Sequence, residues 1–583
     1  MRMIFLKALL VLFPFFCLNA KDESFGILKT LDKKRIVANP MNLNYRFQLD
    51  DPSRREAADP VLEYFKGKYY LFASKSGGYW SSPDLAEWTY ISCKTIETIE
   101  NYAPAILILN DELYYMGSGT DCKIYKNSNP DVDNWQLIDS KFSYPMVGSV
   151  DPAFFQDDDE RVYIYWGCSD KEPIIGVEVD PTDGFKVVGE AKVLIEHNSK
   201  EYGWEVKGPN NSQNKDGYNE GPCVIKHKGK YYLQYAAPGT EVREYGDGIY
   251  VSDAPLGPYV YEESSPFSFK PGGFIGGAGH GHTFWDKYGN LWHVATMKLS
   301  QRHIFERRLG LFPVYFSEND VLHSHTVLTD YPYYIPDKKI DFEKTDLSMN
   351  WNLLSYRKKI EASSALPDYE AEKANDEQIE TWWSAKTGKI GEWLKIDLGK
   401  LMQVNAIQVN FADHDFTLKA AKSYVNYLYT IDCSDDGVNW KILVDRSDNI
   451  KDMPHDFILL DKSVNTRYLR ITNLKNMNGK FSMYDFRVFG HGKGRLPSKV
   501  TDFAAKRKED RRRFDFSWNK ADHATGYIIR WGVKKDQLKN ATMVMSDPFL
   551  EAGYFNRDSE YFFSIDSFNE NGITKGKKIF SVK

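Results

Sequence analysis

Apolar and polar positions alternate along this chain in short runs broken by Gly, Pro, Asn and Asp, and no stretch keeps the period of a long amphipathic helix. The pattern predicts an all-β protein. Five of the runs between residues 59 and 293 repeat one motif, a leading residue beside Pro or Gly followed by an aromatic-rich strand. The repeats are Asp59-Pro60 before "GKYYLFAS", Ala103-Pro104 before "DELYYMGS", Asp151-Pro152 before "ERVYIYWG", Glu220-Gly221-Pro222 before "GKYYLQYA", and His280-Gly281-His282 before "GNLWHVAT". Roughly nine to eleven residues separate each Pro, or His282, from the aromatic pair, so the leading residue holds one structural position every time.

Self-similarity of this kind predicts a five-bladed β-propeller, in which each repeat is one four-stranded blade and the innermost strands begin near a common axis. If each leading residue opens an inner strand, Asp59, Asp151 and Glu220 converge although about 160 residues separate the first from the last. The competing reading is plain turn chemistry, since Asp, Gly and Pro dominate turns. Turns need not share a register in three blades, which favours the axial reading.

Beyond the repeats, alternation in "VNAIQVNF" and the turn residues of "CSDDGVNW" predict an antiparallel sandwich over residues 340–491. "GHGKGRLPSK" reads as a linker, and "FDFSWNKADHATGYIIRWG" with "SEYFFSIDSFNENGITKG" predicts a smaller sandwich over 497–583. The expected order is a signal peptide over 1–20, a propeller over 21–338, and two β-sandwich domains. The basic run from Lys506 to Arg513 reads as a solvated edge or loop, and Asp157 to Asp159 as a solvated hairpin turn.

A net charge of -6 leaves no basic footprint and argues against a nucleic-acid partner. Arg2, Lys7, the apolar run and Ala20 before "KDES" form a secretory leader, so the mature chain is expected in an exported compartment, secreted or periplasmic. Phe16 is bulky where a lipidated Cys17 would need a small residue, which disfavours an anchor. No later segment approaches the ~20 apolar residues of a membrane span. The five remaining cysteines are too sparse for a disulfide framework.

Hydrolysis of a glycosidic bond needs two carboxyl groups in opposite protonation states. Three converging carboxylates supply both and a neighbour that shifts them. The longer side chain of Glu220 suits protonation of the leaving group, Asp59 suits the base, and Asp151 suits the pKa modulator.

At these residues the chain, over about 36 to 336, resembles glycoside hydrolase family 43. The carrying motifs are "ADPVLEYFKGKYYLFAS", "SVDPAFFQDDDERVYIYWG" and "NEGPCVIKHKGKYYLQYA". The resemblance implies Asp59 as general base, Asp151 as pKa modulator, Glu220 as general acid, an inverting reaction, and an oligo- or polysaccharide substrate. It further implies that His280 lies under the sugar and that Arg307 contacts the substrate or the base. Arg308 is the rival, since alternation lets only one of the two face inward. Tyr102, Trp80 and Trp204 are candidate sugar-stacking walls, each with a core reading beside it. A zinc site at His280 and His282 lacks a third ligand.

Residues 340–491 resemble a discoidin, or coagulation factor 5/8 type C, domain through "ANDEQIETWWS", "EWLKIDLG", "CSDDGVNW" and "RYLRI". That resemblance implies a structural Ca2+ near Asp376 and Thr381, with Asp485 where relatives carry Glu. Residues 497–583 look like a fibronectin type III domain, with Trp518 in its core and Tyr561 near a tyrosine corner. No cofactor is required for the chemistry. The expected activity is exo-acting α-L-arabinofuranosidase, with β-xylosidase, galactofuranosidase or galactosidase activity, or a non-catalytic carbohydrate-binding propeller, as alternatives.

Overall fold

A computed structural model describes residues 35–51, 53–120, 122–416 and 425–583. The expected leader, residues 1–20, lies outside them. The described chain is all β with only short 3-10 turns, and no helix among the described residues is long and apolar enough to cross a membrane.

Five antiparallel blades follow one another. Blade 1 comprises Val61–Phe65, Lys68–Phe72, Gly78–Ser82 and Thr89–Ser92. Blade 2 runs Ala105–Leu109, Glu112–Met116, Cys122–Asn127 and Gln136–Phe142, and blade 3 Ala153–Gln156, Val162–Trp166, Ile174–Asp180 and Lys186–Ile195. Blade 4 contains Asn219–His227, Lys230–Ala237, Gly246–Ser252 and Val260–Tyr261. Blade 5 contains Gly276–Trp285, Leu291–Lys298, Arg307–Phe316 and Leu322–Ser324.

The repeated aromatics have a packing reason. Each second strand is buried on both faces, so consecutive rings serve two different interblade layers. Tyr70 and Phe72 pack with Leu113 and Tyr115 of blade 2, while Tyr69 and Leu71 pack with Trp292 and Leu309 of blade 5. Tyr114 and Met116 meet Ile164 and Trp166 of blade 3 in the same manner. The ring closes where residues 39–59 lie across blade 5, with Met41 N donating to Leu309 O at 2.8 Å and Asn39 N to Thr329 O at 2.8 Å.

The middle sandwich is built on two long strands, Trp393–Phe411 and His455–Asn473, flanked by Ser482–His491 and Tyr429–Ser434. Their inward residues, including Ile396, Val409, Ile471 and Phe486, form its core together with Trp383 of the short strand Trp383–Ser384. A three-stranded sheet (Thr501–Arg507, Phe514–Asn519, Phe549–Ala552) and a five-stranded sheet centred on Gly526–Gly532 and Tyr561–Asn569 form the last sandwich.

Candidate active site

The leading residues of four blades share one backbone conformation. Asp59 (φ 51°), Ala103 (φ 39°), Asp151 (φ 56°) and His280 (φ 43°) are all left-handed, which is rare for residues with a side chain. Pro follows three of them because it can begin a strand but cannot donate within one. In blade 4 the left-handed residue is Gly221 (φ 59°), one position later. A Cβ on Gly221 would lie 2.4 Å from the His280 ring, so glycine is required for clearance as well as for φ.

Hydroxyls at the ends of second strands hold this register from blade to blade. Asp59 N donates to Thr296 Oγ1 of blade 5, Ala103 N to Ser74 Oγ of blade 1, and Asp151 N to Ser118 Oγ of blade 2, each at 2.8 Å. His280 is fixed by Asp247 of blade 4, whose carboxylate accepts from His280 N (2.8 Å) and Gly281 N (3.0 Å).

The structure brings Asp59, Asp151, Glu220 and His280 together at the hub. Asp59, 5% exposed, accepts from Ser74 Oγ at 2.6 Å and from Arg307 Nη1 at 3.0 Å, and lies 3.4 Å from His280 Nδ1. Burial alone would raise its pKa, but Arg307, His280 and Ser74 outweigh it and hold the carboxyl below its ordinary value. Arg307 is in turn anchored by the fully buried Glu56 at 2.5 Å. Burial raises the pKa of Asp151, with Glu220 and Asp59 adding to it against His280, which lies 3.7 Å away.

Glu220 is also raised by burial, against His280 and two donors. The Tyr245 hydroxyl donates to its Oε1, and the Cys168 thiol to its Oε2 at 3.0 Å. Burial opposes a charged His280, yet Asp59, Asp151 and Glu220 together raise its pKa. The outcome is one ionised carboxylate clamped by cations and two carboxyls biased toward the protonated form.

These groups open into a cavity of about 650 Å³. Tyr102 lies on its wall beside Phe305, with ring centroids 5.6 Å apart. Ile304 and Phe305 come from the strap between Lys298 and Arg307, whose Arg302 points the other way, onto the face of Trp382 (5.3 Å) and the carbonyl of Ala412 in the middle sandwich. A second cavity, about 550 Å³, lies between blade 1 and the middle sandwich around Trp88 and Phe457, and contains none of the hub carboxylates.

Two expected walls are elsewhere. Trp80 is buried on the third strand of blade 1, donating to Asn44 Oδ1 at 2.6 Å within the blade 5–blade 1 core. Trp204 is fully buried under Gly248 and donates to Tyr261 at 3.0 Å, in the layer joining blade 4 to the last sandwich. Both are core residues, because an interblade layer and a sugar wall draw on the same aromatic composition. Of the arginine pair, Arg307 faces Asp59 and Arg308 faces His455 at 2.8 Å. His282 turns toward Glu63, 3.7 Å away. Of the expected solvated turn, Asp157 is instead buried, held by Lys226 and by Tyr231 at 2.6 Å.

Cys168, Tyr245, Asp247, Phe305 and Glu56 were not predicted. Only Cys168 left a trace in the sequence: it stands two residues past its second strand, as Ser74 and Ser118 do.

Near the expected calcium site, Asp376 accepts from Gln378 N at 3.0 Å and from Thr381 Oγ1 at 2.7 Å. Asp485 Oδ2 accepts from Glu377 N at 3.0 Å, whereas its buried Oδ1 has no partner among the described residues. Burial pushes Asp376 up to about 6 and Asp485 well above the usual carboxylate range, with neighbouring acids adding to both. An orphaned oxygen and two destabilised carboxylates suit a hard, oxygen-seeking cation.

Residues 53–322 match the model of "Glycosyl hydrolases family 43" and residues 359–486 that of "F5/8 type C domain". "Beta-D-galactofuranosidase xynD" of Aspergillus niger is 25% identical over 261 residues, 39% of this chain and 68% of that protein. Among solved structures, one described as "Glycoside hydrolase" is 20% identical with a TM-score of 0.43, covering 74% of this chain and 97% of its own. The Bacteroides ovatus protein "Xyloglucan PUL GH43B" is 15% identical with a TM-score of 0.42, covering 78% and 98%. Residues 53–322 are thus similar to family 43 glycosyl hydrolases and residues 359–486 to F5/8 type C domains, and the chain is an inverting glycoside hydrolase.

Proposed function

We propose that the protein is an exported, exo-acting glycosidase that removes a terminal furanose or pentose from plant-type polysaccharide or glycan side chains, with α-L-arabinofuranosidase as its leading activity. The observation that carries the chemistry is the opposed bias of two buried carboxyls, Asp59 held low by Arg307 and Glu220 held high by burial. In this reading Asp59 takes a proton from a water that attacks the anomeric carbon, while Glu220 gives its proton to the departing oxygen. Burial, with the Asp59 charge adding to it, favours the protonated state of Glu220, and Asp151 is read as the neighbouring pKa modulator. Tyr102 and Phe305 offer apolar faces to the sugar. A β-D-galactofuranosidase is the second reading, favoured by the printed name of the Aspergillus niger relative.

Glu220→Gln is expected to lower kcat on an oligosaccharide by about 10²–10⁴-fold, and less on an aryl glycoside whose leaving group needs no proton. Undiminished hydrolysis would remove Glu220 from the role of general acid and with it this assignment of the site. Proton NMR of the first product should give the inverted anomer, and a panel of arabinosides, xylosides and galactofuranosides names the sugar. The profile of kcat/KM should fall on the acid side as Asp59 protonates, below the usual carboxylate range, and on the alkaline side as Glu220 ionises, above it.

In the middle sandwich Asp376 and Thr381 would hold a structural Ca2+, with Asp485 close enough for the cation to offset its buried charge as well. Chelation should then lower the unfolding temperature of the whole protein, and an unchanged temperature rejects the site. The last sandwich, where the Tyr561 hydroxyl accepts from Asn556 N at 2.9 Å, is read as a fibronectin type III-like spacer.

A further inference from the structure

Cys168 is the thiol counterpart of the hub hydroxyls. Ser74 and Ser118 stand two residues past the second strands of blades 1 and 2, and Cys168 stands two residues past that of blade 3. Its backbone pairs directly with Glu220. The two serines each anchor the backbone of the next blade, whereas the sulfur turns to Glu220 Oε2. Ligand atoms of Asp151, Cys168 and Glu220 all lie within 4.8 Å of one another. The Asp151 carboxylate, 7% exposed, has the thiol beside it and His280 Nδ1 at 3.7 Å, and among the described residues it makes no ion pair with an arginine or lysine.

We propose that Asp151, Cys168 and Glu220 form a binding site for a thiophilic divalent cation such as zinc, whose occupancy shuts off hydrolysis. One sulfur and two carboxylate oxygens are a ligand set for a borderline-soft metal, with the cavity leaving a fourth position to water. Metal-to-ligand distances of about 2.0–2.3 Å require these atoms to sit roughly 3–4 Å apart, which small rotations of the side chains achieve. Binding replaces the thiol proton by a sulfur–metal bond and any proton on Asp151 or Glu220 by an oxygen–metal bond, and all of these protons are released to solvent. It also engages the Glu220 oxygen that must carry the proton for the leaving group. Hard cations such as Mg2+ would not compete for the sulfur. Inhibition rests on the reading of Glu220 as the acid, but binding does not, so the two fail separately.

Cobalt(II) added to the full chain is the probe, because a thiolate ligand gives it a near-ultraviolet charge-transfer band. The band should appear, be displaced by zinc, survive in Cys433→Ser, whose sulfur is buried in the middle sandwich, and vanish in Cys168→Ser. Serine already occupies the equivalent position of two blades, so that variant suits the backbone. Zinc should inhibit the wild type and require about tenfold or more higher concentration for Cys168→Ser. Glu220→Gln, read by cobalt affinity alone, should bind about tenfold more weakly. A missing band, a band that persists in Cys168→Ser, or equal zinc inhibition of both proteins overturns the site.

Discussion

The two sandwiches meet the propeller by opposite means. The middle one is keyed in by buried charge: Arg55 of the propeller reaches Asp413 at 2.7 Å and Asp452 at 2.8 Å, and Arg487 of the sandwich grips Glu377 while donating to the carbonyl of Asp330. The last one adheres by rings. Phe269 packs on Tyr554 with centroids 5.0 Å apart, Tyr261 binds Asn556 at 3.1 Å, and Gly203 N donates to Phe555 O at 3.0 Å. Apolar contact holds surfaces together with little angular preference, whereas paired buried charges fix one geometry and penalise all others.

The charged contact is also the one wired to the site. Arg55 adjoins Glu56, the anchor of Arg307, and Arg308 adjoins Arg307 itself, so alternation along two segments sends one side chain to the sandwich and the next to Asp59. The strap adds a third link, with Arg302 on the sandwich and Phe305 on the cavity. The middle sandwich therefore belongs to the catalytic unit structurally, whatever else it binds.

The sharpest way to break this contrast is Arg55→Met, which strands Asp413 and Asp452 in the interior. It should cost about 3–5 kcal/mol in denaturant unfolding, and the companion Arg302→Ala should lower kcat/KM about tenfold or more by releasing the strap. Equal activity in Arg302→Ala with an intact fold would mean that the sandwich merely abuts the propeller.

The smaller expected effect is on the apolar side. Glu205, next to Trp204 under the last sandwich, is raised by burial to about 7, against donors Tyr235 and Asn198. A carboxyl with a raised folded pKa favours the folded state while protonated, so this contribution is present below the ordinary Glu value and is lost as pH rises through about 7. Unfolding free energy should fall over that window by on the order of 1–3 kcal/mol, a slope that Glu205→Gln flattens while leaving kcat unchanged. An unaltered slope would place the titrating group elsewhere.

How legible the molecule was differs between its hub and its seams. The leading residues could be read because a left-handed position just before or within the first part of an inner strand recurs in every blade, with a recognisable Pro or Gly at or beside it. Trp80 and Trp204 were misjudged because a strand tryptophan carries no mark of which layer it enters. Tyr245, Asp247 and Phe305 were invisible, since third strands and straps reach the hub through tertiary packing and obey no repeated spacing. The basic run at Lys506 to Arg513 read as solvated, yet Arg512 donates to Ser199 O at 2.6 Å and Arg513 to Asn210 O at 3.0 Å, because long side chains bridge a seam that composition cannot reveal.

The hydroxyls that suspend the first residues of blades 1, 2 and 3 from the blade before make the hub an arch rather than a stack of parts. A length change at an outer hairpin is absorbed at the rim. One at the end of a second strand shifts Ser74, Ser118 or Thr296 and is felt one blade later, where it would tilt Asp151 or Asp59 without touching either. Grafting or permuting this scaffold thus has a natural unit, which is not the blade but the seam between two.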